Sequence, residues 1–171
     1  MKNTTLHRNL QSPMERELLF GVAGVLVIRV VAFDRSTTAS EAQLSDDVFG
    51  TLGGDTVNLK SQVEQCSSGN LRISASSFSS MIGSDGVYTV QLPSTVISGA
   101  NDRLIVNSVL DKLSSDFGWP LNQLAHFVMI CLPPGTAGNW IAYAYVNHWL
   151  SVYNDIWCQY PSAQLHEIGK S

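Results

Sequence analysis

Charge is scarce in this chain: Asp, Glu, Lys and Arg make up 14% of the 171 residues, and no cluster gathers the ten basic side chains into a patch. With a net charge of -4 there is no electrostatic footprint for a polyanion, so DNA and RNA fall away as partners. A long hydrophobic run is missing too. The best candidate, Leu18 to Phe33, is broken by Arg29 and carries Gly21 and Gly24, short of the roughly twenty apolar residues a membrane helix needs. It also makes a poor secretory leader, since Glu15 and Glu17 sit where positive charge is wanted and no small-residue cleavage site follows. Cysteine is rare and odd in number. Cys66, Cys131 and Cys158 allow one disulfide, in any of three pairings, with one thiol left over. There is no Ser-His-Asp arrangement, and Gly50-Thr51-Leu52-Gly53-Gly54 lacks the Lys-Ser/Thr of a phosphate-cradling loop.

What the chain does have is 44% hydrophobic residues, enough for one sizeable core. Residues 1–17 read as a polar, flexible lead-in and residues 18–171 as one folded unit. Val25 to Phe33 is β-branched and apolar on both faces, the pattern of a central strand covered on both sides. Ser40-Glu41-Ala42-Gln43 matches a capping box, opening a helix that runs to about Phe49 and stops at Gly50. A second helix from about Thr56 places Leu59, Val63 and Cys66 on one face, with Gly69 set to end it in a left-handed turn.

Leu71 to Ile73 resumes as strand, Ser74 to Ser80 is weakly strand-like, and Ser84-Asp85-Gly86 turns into a strand over Val87 to Leu92 that Pro93 ends. From about Asn101, Val106, Val109, Leu110, Leu113 and Phe117 recur at helical spacing up to Gly118-Trp119-Pro120. Phe127 to Leu132 is a second interior strand. Trp140 to Tyr153 alternates aromatic, small and polar residues, as one extended edge strand with an exposed side would. The fold class expected is α/β: a mainly parallel twisted sheet with flanking helices and an aromatic edge strand. Of the histidines, His148 falls on that edge strand, His126 is placed to hydrogen-bond at the mouth of an interior strand, and His7 belongs to the solvated lead-in.

The chemistry-bearing segment is the last one, Trp157-Cys158-Gln159-Tyr160-Pro161-Ser162-Ala163-Gln164-Leu165-His166-Glu167-Ile168-Gly169-Lys170-Ser171. His166-Glu167 begins the pattern H-E-x-x-H, in which two imidazoles four residues apart share one helical face and bind zinc, while the Glu acts as general base. The fifth position here is Lys170, whose ammonium has no lone pair and repels a cation. Ser162 is the expected N-cap of the helix.

Four blocks, Leu59 to Gly69, Cys131 to Thr136, Ile141 to Asn147 and Tyr160 to Gly169, resemble in order and spacing the gametolysin family of zinc metallopeptidases, found in algae. The resemblance spans about Val25 to Gly169 and is most specific in its last block. It implies a metzincin-like N-terminal subdomain and peptide hydrolysis by a zinc-bound water, with His166 as first zinc ligand and Glu167 as general base. Lys170 then stands where the second ligand belongs. The family's third ligand and lower subdomain have no counterpart, so the expectation is a chain truncated inside the active-site helix and inactive as it stands.

The resemblance further implies an extracellular setting, extracellular or cell-wall proteins as substrates, and an edge strand that receives the substrate as an extended peptide. Tyr143, Tyr145 and Asn147 are the residues expected to touch it. The leftover thiol is expected to face a partner outside this chain. The competing expectation is a non-catalytic, peptide-binding pseudo-protease fragment; a third is a product with no function of its own.

Overall fold

Gly21–Val31 forms β1, and its composition dictates the architecture around it. Leu26, Ile28 and Val30 project to one face and Val25 and Val27 to the other, and all five are inaccessible to solvent. A strand buried on both faces needs a layer on each side. The computed structural model describes residues 21–53, 56–83, 85–96 and 99–170; the lead-in expected over residues 1–17 lies outside them. Among the described residues, α1 (Glu41–Phe49), α2 (Leu59–Cys66) and α4 (Pro161–Ile168) bring apolar side chains to one layer, and α3 (Asp102–Phe117) to the other.

The sheet has six strands, with β2 (Leu71–Ala75), β3 (Val87–Gln91), β4 (Phe127–Leu132), β5 (Ala142–Ala144) and β6 (Leu150–Asn154) joining β1. Its order is β2-β1-β4-β6-β5, and β3 also pairs with β1. On one edge of β1 the two strands lie end to end: β2 takes Gly21 to Val25 and β3 takes Val27 to Val31, both parallel. The switch between them falls at Gly86, whose φ of 71° and closeness to Phe49 and Ala75 leave no room for a side chain. On the other edge β4 pairs in parallel with β1, and β6 in parallel with β4. Only β5 runs antiparallel, to β6. The α/β class and the mainly parallel sheet expected from the sequence are thus observed.

Local signals in the sequence match the helix ends. Ser40 and Gln43 form the reciprocal capping box, and Gly50 closes α1 at φ 72°. Asn58 caps α2 two residues beyond the expected Thr56 start, and the Gly69 N–H reaches back to the Glu64 carbonyl at 2.7 Å. Cys66 departs from expectation. It is exposed, so the apolar face of α2 ends at Val63. The strand-like stretch after Ile73 also ends early, at Ala75.

The expected single strand from Trp140 to Tyr153 is corrected: the chain folds back on itself. Three residues form edge strand β5, the chain turns with Asn147 at φ 56°, and Leu150–Asn154 returns as β6 inside the sheet. Alternation of period two gives side-chain facing but says nothing about reversal, and Asn tolerates the left-handed geometry without a glycine to announce it.

Of the three open cysteine pairings, the structure contains Cys131–Cys158, with Cα atoms 5.6 Å apart. It fastens β4 to the 3-10 segment Asp155–Gln159 that leads into α4. Closing a loop of 27 residues restricts the unfolded chain. Replacing both cysteines by Ala is expected to lower the unfolding free energy by about 3 kcal/mol, measured as a fall in the urea midpoint; an unchanged midpoint would mean that packing alone holds the segment.

Candidate functional site

α4 carries His166 and Glu167 and begins with Pro161 in its first turn, where the missing N–H costs nothing. Tyr160, not the expected Ser162, occupies the N-cap, and no side chain caps it. Eight residues make too short a helix to persist alone, so its position comes from what it packs against. Leu165 and Ile168 join the layer beneath β1 and β4. Gln164, fully buried, donates from Nε2 to the Cys158 carbonyl at 2.6 Å, and the Tyr153 hydroxyl donates to the Gln164 carbonyl at 3.4 Å.

The preceding segment is anchored from the far end of the chain. Asp155 sits at φ 50° and accepts from the Thr38 N–H at 2.8 Å and the Thr38 hydroxyl at 2.9 Å. The neighbouring Thr37 hydroxyl donates to the Cys131 carbonyl at 2.6 Å, beside the disulfide. Arg29 holds the same connection by donating to the Ala39 and Thr37 carbonyls. None of Thr37, Thr38, Asp155 or Gln164 was legible as a site residue. Thr37 and Thr38 meet partners 94 and 117 positions away, and Gln164 meets a carbonyl in the 3-10 segment, contacts that periodicity does not reach.

His166 and Glu167 part company in space. The His166 side chain is 70% exposed, whereas that of Glu167 is 5% exposed, and Nε2 lies 4.0 Å from Oε1. Glu167 is engaged instead by Lys170, whose Nζ stands 2.7 Å from Oε2. Its negative charge is also felt by Tyr153: burial pushes that hydroxyl well above its ordinary range, and Glu167 pushes it further.

A catalytic zinc takes three protein ligands and an open position. The described residues offer one outward imidazole, a carboxylate already paired with an ammonium, and no group of three or more His, Cys, Asp or Glu side chains placed to hold a metal. Taken by themselves they do not fit that centre.

The expected substrate-touching residues fall on different sides. Tyr143 lies on β5 but faces α3, where its hydroxyl donates to Asp102 Oδ2 at 2.9 Å. Tyr145 follows β5 and is exposed, edge-on to Tyr143 and to His148. Asn147 is in the turn rather than on the strand, and its N–H donates to the Lys170 carbonyl at 2.8 Å. The other face of β5 carries Ala142, which like Leu165 of α4 packs against the layer beneath the sheet. His148 accepts from the Leu150 N–H through Nδ1 and stacks on Trp149, so it shapes the hairpin. His126 accepts from the Gly24 N–H at 2.9 Å, the strand-mouth role expected of it.

β5 is the last strand of the sheet on its side among the described residues. Asn154 donates to the Ile141 carbonyl, which makes Ile141 with Asn154, and by alternation Tyr143 with Val152, the hydrogen-bonded pairs of the hairpin. Ala142 and Ala144 therefore aim their main-chain groups outward, and among the described residues no strand meets them. Beside this edge α4 packs, its C-terminal end tied to the β5–β6 turn through Asn147. Comparison of the chain with protein-family models, with curated proteins and with solved structures finds no match.

Burial, and next the hydrogen bond to Asp102, raise the Tyr143 hydroxyl above its ordinary value. A raised folded value means the unfolded chain ionises first, so this contribution is complete below about pH 10 and is lost as pH climbs beyond it. Tyr143→Phe is expected to cost about 1 kcal/mol at pH 8 and to flatten the alkaline decline, measured by urea unfolding at pH 8 and pH 10.5. An equal decline in both proteins would remove Tyr143 from the account.

Proposed function

We propose that this chain is a domain of the gametolysin-type zinc metalloendopeptidase plan whose described residues hold an extended peptide along β5 without cutting it. The observation that carries the reading is the open antiparallel edge of β5, with Ala142 and Ala144 facing outward, beside the helix that begins His166-Glu167. A peptide adds to such an edge through main-chain hydrogen bonds, and its side chains are sorted by what lies on either face. Here one face is lined by Tyr143 and Tyr145 and the other by the alanines over α4.

Holding is favoured over hydrolysis because Lys170 occupies the place of the second zinc ligand and takes up the Glu167 carboxylate, the group that the family resemblance makes the general base. The Cys131–Cys158 bridge supports an oxidising, extracellular setting, in which the peptide would come from an extracellular or cell-wall protein.

A fluorescent library of unstructured peptides tests this by anisotropy, with mass spectrometry of the same mixtures to detect cleavage. Binding is expected, weakened about tenfold or more by Ala144→Pro, which deletes an outward N–H yet leaves the β5–β6 ladder intact. No binding by any peptide would overturn the reading. Cleavage that needs zinc and vanishes in Glu167→Gln would replace holding by catalysis.

A further inference from the structure

We infer that Lys170 is the built-in counter-cation of Glu167, standing where a metal-binding imidazole would stand, so that α4 closes against the sheet without a metal. The family reading enters only in the statement that position 170 answers to a second imidazole; the pairing itself rests on distances.

Glu167 is among the few charged residues that are almost wholly buried, and a buried carboxylate is tolerated only where a partner of opposite charge and further hydrogen bonds compensate the lost water. Its neighbours offer few such partners. Tyr153, pushed toward its neutral form, brings no positive charge. His166 points to solvent, 4.0 Å from the nearer oxygen. Lys170 supplies the charge at 2.7 Å, its side chain one-third exposed, so the stem covers the site while the ammonium reaches in.

The same residue also closes the structure mechanically. Its carbonyl accepts from the N–H of Asn147, at 2.8 Å, in the left-handed turn between β5 and β6. Lys170 therefore joins three things: the buried carboxylate, the end of α4 and the turn that sets the open edge of β5. An imidazole at this position could accept a metal but would bring no permanent charge of its own.

The test is a double-mutant cycle on the full chain with Lys170→Met and Glu167→Gln, followed by thermal and urea unfolding with and without EDTA, and zinc titration by calorimetry. Lys170→Met alone is expected to lower Tm by about 2–4 °C or more, and the same change made in the Glu167→Gln background to cost much less, a coupling of about fivefold or more in the unfolding equilibrium. EDTA is expected to leave the wild-type Tm unchanged and zinc to give no binding heat. Additive single effects would remove the pairing. Stoichiometric zinc binding that raises the wild-type Tm would overturn the metal-free closure. Peptide binding along β5 is read by a separate measurement, so its failure is distinguishable from failure of the pairing, although zinc binding would also remove the argument that favours holding over cutting.

Discussion

Everything in this molecule is arranged around the fact that β1 has no side it can leave uncovered. From Val25 to Ile28, and again at Val30, its side chains are buried on both faces, and both of its edges are paired, one to β4 and the other to β2 and β3 in succession. Burying such a strand requires two layers of helices and parallel neighbours, and parallel neighbours require crossovers. The helices α1 and α2 lie in the crossover from β1 to β2, and α3 in the one from β3 to β4. The site at the C-terminal end exists because β4 and β6 extend this same sheet and deliver the chain to the outer edge of the layer that α1 and α2 begin.

That delivery would be loose without cross-links. The segment between β6 and α4 is held by a covalent bridge to β4 and by the Asp155 carboxylate on Thr38, while Thr37 ties the same connection to the Cys131 carbonyl. Three remote parts of the sequence thus meet at one corner, which explains how a helix of eight residues holds a fixed place. Asp155 adopts a left-handed backbone to do so, an unfavourable geometry for a residue with a side chain, and two hydrogen bonds to Thr38 offset it.

The sequence was most informative where the physics is local. Caps at Ser40 and Gly50, the periodic face of α3 and the apolar run of β4 all act within a few residues and are found where the pattern put them, whereas β1 runs from Gly21 to Val31 rather than from Val25 to Phe33, and Phe33 lies past its end, 79% exposed. It was least informative about reversal and contact. The aromatic stretch from Trp140 folds into a hairpin because Asn147 takes a left-handed turn, and nothing in an alternating pattern distinguishes one long strand from two short ones. At the site, the adjacency of His166 and Glu167 was legible, but their opposite exposure was not. Neighbouring residues on a helix point about 100° apart, so only the position of the core decides which one is buried.

That division decides the chemistry open to α4. The buried member of the pair is the acid, and an acid placed under a sheet demands a positive charge within reach. A metal and an ammonium meet this demand in different ways. A metal shares its charge with several ligands and keeps a position for a reacting molecule, whereas an ammonium spends its hydrogens on the carboxylate and leaves no open coordination site. With Lys170 in contact with Glu167, the corner has the electrostatics of a closed ion pair. On the proposed reading, recognition would fall to the outer edge of β5, whose outward main-chain groups need no side-chain chemistry to pair with an added strand.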